Sequence, residues 1–137
     1  MTERAILQAL QTATISAVSA SIMPLLPIKM LGRTFNLPDD GRWLEIAHIP
    51  NNVIGQYWAD GKTYRGLYRL ILHWGLDDAG VYQPMDVIAS ISVGFSKGSI
   101  FQNGSVSVKI YDEPDLTGVI EASPETLYPV TIRYMSP

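Results

Sequence analysis

Residues 64–74 alternate without a break, and that alternation constrains the fold more than any other feature of the chain. Tyr68, Leu70, Leu72 and Trp74 fall on one face; Arg65, Leu67, Arg69, Ile71 and His73 fall on the other. Such a strand needs paired neighbours along its edges and a cover over its apolar face. Residues 42–49 repeat the pattern, with Leu44 and Ile46 opposite Trp43, Glu45 and Ala47. So do residues 105–111 and 127–135, and 118–122 form a shorter piece. Pro129 lacks a backbone donor, which predicts an edge or a bulge for the last strand.

Two segments carry the helical period instead. In residues 2–21, Ile6, Leu10, Ala13 and Ala17 recur at spacings of four, three and four. Pro24 and Pro27 end that helix and open a proline-rich connection over 23–40. In residues 84–96, Pro84 suits the first turn, Met85, Ile88, Ile91 and Phe95 line one face, and Gly98 is a stop. The order helix, strands, helix, strands predicts an α+β fold: an antiparallel or mixed sheet with two α-helices packed on one face. The 137 residues are one domain's worth of chain, spanning 1–137.

Composition removes several function classes. There is no cysteine, so disulfides, thiol catalysis and cysteine metal sites are excluded. A net charge of −3 argues against general binding of nucleic acid through phosphates. No apolar run reaches membrane-spanning length, so no membrane partner is expected. The opening Met1-Thr2-Glu3-Arg4 is unlike a secretory signal, and the expected address is the cytoplasm. Only 17% of residues are charged, below the usual quarter, which hints at a surface partly reserved for self-association.

The candidate chemistry is thin. Gly61-Lys62-Thr63 resembles the end of a phosphate loop, but the required earlier glycine is Gln56 and a strand follows where a helix is needed. His48 and His73 lie in strands that could bring them together. His73 shares its face with Arg65 and Arg69, so both read as polar-face histidines and not as metal ligands. Asp112, Glu113 and Asp115 around Pro114 are too few for a calcium loop. The serines lack a nucleophile-elbow setting, and Asn103-Gly104 reads as a turn. No catalytic residue, metal or cofactor is expected.

Charge placement says more. Acids gather in loops, while Arg42, Arg65, Arg69, Lys109 and Arg133 sit on strands. If those strands are neighbours, one sheet face carries a basic stripe among Leu67, Ile71 and Thr131. The loop 53–64 adds Tyr57 and Trp58 beside Gln56. Arginines and loop aromatics are the residue types that protein–protein contacts favour. The candidate interface residues are therefore Gln56, Tyr57, Trp58 and Lys62 in or beside the loop, and Arg65, Arg69 and Arg133 on the strands.

The whole chain also resembles a known family. A Thr-Glu opening and an alanine-rich helix lead through prolines into Asp40-Gly41-Arg42-Trp43-Leu44. An Ile49-Pro50 strand end follows, then Tyr64-Arg65-Gly66-Leu67-Tyr68-Arg69-Leu70, a helix ending in Phe95-Ser96-Lys97-Gly98, and the close Tyr128-Pro129-Val130-Thr131-Ile132-Arg133-Tyr134. In this order and spacing the chain resembles the tail terminator (tail completion) proteins of long-tailed bacteriophages, the minor tail protein U-like group. The resemblance implies a homo-hexameric ring on the head-proximal end of the tail tube. That ring would stop tube polymerisation, offer a joining surface to a head-completion (stopper) protein and let DNA pass through its lumen without specific binding. The address so implied is the virion tail, and the host cytoplasm during assembly. The resemblance carries no catalytic residue. The rival readings are another neck or head-closure (head-tail connector) protein, and a small ligand-binding domain or enzyme.

Overall fold

The computed structural model describes residues 2–50, 54–55, 62–75, 80–116, 118–122 and 124–136. Its spine is the strand read first from the sequence. In chain order the strands are β1 (Ile28–Lys29), β2 (Trp43–Pro50), β3 (Ile54–Gly55), β4 (Lys62–Gly75), β5 (Ile100–Asn103), β6 (Val106–Ile110), β7 (Asp115–Leu116), β8 (Ile120–Ala122) and β9 (Glu125–Ser136). The helices are α1 (Thr2–Ser19) and α2 (Tyr82–Ser92), the latter followed by a 3-10 turn at Val93–Phe95. The sheet runs β1-β2-β4-β9-β6-β5. Only β1 against β2 is parallel, so the sheet is mixed and the fold is α+β.

Register sorts the side chains onto two faces. On the inner face Leu44, Ile46 and His48 of β2 stand beside Leu72, Leu70 and Tyr68 of β4. Those in turn stand beside Tyr128, Val130 and Ile132 of β9. Ile6, Leu10, Ala13, Ala17 and Val18 of α1 pack onto this face, with Val87, Ile88 and Ile91 of α2 and Phe95. Both helices therefore cover the same side, as the sequence predicts. Tyr68 sits at the centre, fully buried. Its hydroxyl meets Thr14 Oγ1 at 2.8 Å, and Thr14 Oγ1 in turn donates to the Leu10 carbonyl at 2.9 Å. With the Thr14 proton so engaged, Tyr68 is the donor in the first bond.

Four short strands escaped the sequence reading: β1, β3 and β7, of two residues each, and β5. β1 interrupts the proline-rich connection, where Leu44 N–H donates to the Pro27 carbonyl at 2.9 Å. β5 pairs with β6 around a turn in which Gly104 takes a left-handed φ of 63°. The Asn103-Gly104 turn is thus present, and it joins a hairpin.

Pro129 does not mark an edge. β9 pairs with β4 along its whole length, and on its other side meets β8, then β7, then β6. The β8 ladder ends at Leu127 and the β7 ladder starts at Val130. Pro129 lies in the gap between them, the place on that side where a missing donor costs least.

Candidate assembly surface

Among the described residues, the outer face of the sheet carries no helix. Register lays it out in rows: Trp43–His73–Leu127, Glu45–Ile71–Pro129, Ala47–Arg69–Thr131, Ile49–Leu67–Arg133, and Arg65–Met135–Lys109. The two ends of this face differ.

The first row is covered. Trp43 and His73 stack with centroids 3.7 Å apart and planes 7° from parallel, and the Phe35 ring closes over Trp43 at 5.2 Å. His73 Nδ1 bonds Glu125 Oε1 at 3.0 Å, and its Nε2 lies 3.7 Å from Glu45 Oε1. Placed on the outer face as expected, His73 is nevertheless buried, because Trp43 lies over its ring. His48 is on the opposite face, half-buried and hydrogen-bonded through Nε2 to the Tyr134 hydroxyl. The strands therefore do not bring the two histidines together, and His48 is not a polar-face residue. Among the described residues no group of three His, Cys, Asp or Glu side chains could hold a metal.

The other end is open and basic. Arg65 and Lys109 are exposed, and Arg69 and Arg133 are half-buried among Leu67, Met135 and the exposed Ile49. Arg133 stands diagonally between Arg65 and Arg69, and Lys109 is diagonal to Arg133, steps of about 7–8 Å on a sheet. Among the described residues none of the four has an ion pair. Four like charges at this spacing repel one another, and an acidic partner would relieve that repulsion. The Nε of Arg69 and the Oγ1 of Thr131, opposite each other, are both buried with no hydrogen-bond partner among the described residues. That pair is invisible to sequence reading, because it depends on burial.

The stripe thus gathers Arg65, Arg69, Arg133 and Lys109 around Leu67 and Thr131. Arg42 is not in it: its guanidinium lies 4.2 Å over the ring of Trp74, an inner-face residue. Lys62 opens β4, paired to Gly55 of β3. Gln56, Tyr57 and Trp58 lie outside the described residues.

Three inner-face groups set a pH window for stability. Burial holds His48 below the usual histidine value. Burial, and secondarily the nearby Glu3 carboxylate, pushes Tyr134 up to about 12, and burial pushes Tyr68 up as well. A depressed histidine contributes stability above 6.5 that is lost as pH falls, because the unfolded chain takes the proton first. A raised tyrosine contributes stability below 10 that is lost as pH rises. The urea midpoint is expected to be flat between about pH 6.5 and 10 and to fall on both sides, with His48→Gln shallowing the first part of the acid limb. An acid limb unchanged in that variant would exclude His48 as a contributor.

Comparison with known proteins agrees with this non-catalytic surface. The family model for phage tail terminator protein matches residues 4–134. No curated protein matches the chain. A solved structure 20% identical in sequence superposes with a TM-score of 0.83, covering 100% of this chain and 96% of that one, which establishes the fold as one already seen. The match places the chain in the phage tail as a structural component, not an enzyme, and implies contacts with other tail and head proteins. With nearly its full length matched, this chain belongs to the phage tail terminator proteins.

Proposed function

We propose that this chain closes into a homo-hexameric ring on the head-proximal end of the tail tube, stops tube polymerisation there and offers the joining surface for a head-completion protein. The observation that carries the reading is the family match over residues 4–134. Capping is a binding function. One ring face must fit the last tube ring, and the other must fail to recruit a further tube subunit. A ring closes when one patch on each subunit meets a different patch on its neighbour. Arg65, Arg69 and Arg133, with no ion pair among the described residues, are assigned to subunit contacts. Gln56, Tyr57, Trp58 and Lys62 are assigned to a neighbouring ring or subunit. DNA passes through the lumen without specific binding, and assembly takes place in the host cytoplasm before the ring becomes part of the virion.

The test separates the two ends of the neck. Purified protein is mixed with uncapped tail tubes and, separately, with filled heads, and co-sedimentation is measured. Binding to tubes and not to heads alone is expected; binding to heads alone would make this a head-closure protein instead. Within the tube assay, Trp58→Ala and Arg69→Ala are each expected to weaken binding about tenfold or more, as for a central interface residue. Unchanged binding in either variant would remove that residue from the contact set.

A further inference from the structure

Resting on the ring reading above, we propose that the basic open end of the outer face receives an acidic flank of a second copy of this chain, head to tail. The flank carries Asp112, Glu113, Asp115 and Glu121, all exposed. No Lys, Arg or His occurs from Tyr111 to Ala122. Between the acids it presents apolar side chains: Tyr111, Leu116, Val119 and Ile120 are 36%, 36%, 40% and 50% exposed. β7 and β8 pair only with β9 among the described residues, so this flank is also an uncovered stretch of sheet edge. The basic end answers it in kind, with four bases around Leu67, Met135 and Ile49.

Charge decides which surface meets which. The basic face against another basic face would bring four cations onto four cations, and flank against flank would do the same with four carboxylates. Either two-fold pairing is repulsive, whereas face against flank is complementary. The basic end and the acidic flank are different patches of the surface, so their pairing is heterologous and can close a ring. Within one chain the two sets approach at one corner, where Asp115 is diagonal to Arg133 at about 7–8 Å, and the two make no ion pair. Asp115 stands in the row of Thr131 and Arg69, two strand spacings or about 10 Å from Arg69, and the two make no ion pair. No partner among the described residues binds Arg69 Nε or Thr131 Oγ1. The terminal nitrogens of Arg69 are left for an incoming carboxylate, the group that a guanidinium fork fits best.

The experiment is a reciprocal charge swap. One variant carries Arg65→Glu with Arg133→Glu, the other Glu113→Lys with Asp115→Lys. Mass is measured by analytical ultracentrifugation for each alone and for an equal mixture, with circular dichroism as the check on folding. Each variant alone is expected to assemble about a hundredfold more weakly than the unaltered chain. The mixture is expected to recover assembly, because each variant's face then matches the other's flank. Recovery also demonstrates that both variants are folded. Assembly of either variant alone at the unaltered strength would overturn the proposal, as would a mixture of folded variants that stays apart. If the unaltered chain assembles only on tubes, the same samples are read as capped tube ends. An unaltered chain that neither assembles nor caps would remove the ring reading, and this inference with it. Capping by the unaltered chain and equally by each swapped variant would leave the ring reading standing and remove this inference alone.

Discussion

Tyr68→Ala is expected to lower the unfolding free energy by about 3–5 kcal/mol, as truncation of a large aromatic in a core does. Tyr68 has no exposed surface, stands on the central strand between His48 and Ile132, and reaches up to α1 through Thr14. Its removal opens a cavity where sheet and helix meet and leaves Thr14 Oγ1 without a donor. Against a typical total of about 5–15 kcal/mol, that is a large share of the stability, and the melting temperature should fall by about 10 °C or more. Tyr68→Phe keeps the ring and loses one hydrogen bond, so about 0.5–1.5 kcal/mol is expected. Urea unfolding of the two variants checks this: equal losses would mean that the ring fills no space of its own.

Gly66→Ala is expected to cost about 1–3 kcal/mol, because the site has no room for one more carbon. A Cβ there would lie 2.5 Å from the Tyr134 hydroxyl and 2.9 Å from the Ile49 carbonyl oxygen. Gly66 and Tyr134 are direct partners across β4 and β9, and the phenol lies over the glycine to reach His48. Two motifs read separately in the sequence, Tyr64-Arg65-Gly66-Leu67 and the closing Tyr134, are therefore halves of one packing arrangement. Tyr134→Phe removes the nearest obstructing atom. In that background the cost of Gly66→Ala should shrink by about 0.5 kcal/mol or more, a coupling that a double-mutant cycle of unfolding free energies measures. Strict additivity would show that the two residues do not compete for the same space.

Alternation made the sheet legible. Leu70, Leu72, Tyr128, Val130 and Ile132 are buried on the face that period two assigns them, and Ile6, Leu10, Ile88 and Ile91 answer from the helices at period 3.6. Shorter pieces were not legible. β1 is two residues long, and β5 is four residues with an exposed Ile100, so neither builds a period. Pro129 misled because strand position was inferred from one missing donor, while the break between β8 and β7 supplies a gap inside the sheet. The basic stripe was readable as soon as the strands were taken as neighbours. Arg42 left it because its guanidinium is drawn over the Trp74 ring. Burial of His73 was beyond the sequence, since it depends on Trp43, its partner on β2, lying flat on its ring, with Phe35 of the preceding connection closing over Trp43.

The proposed function stands or falls on whether this chain ends tube growth. The most direct measurement adds the purified protein to polymerising tail-tube subunits and follows tube length by negative-stain electron microscopy. Tubes that stop growing and carry a ring at one end are expected. Tubes that lengthen at the same rate with bare ends would contradict it.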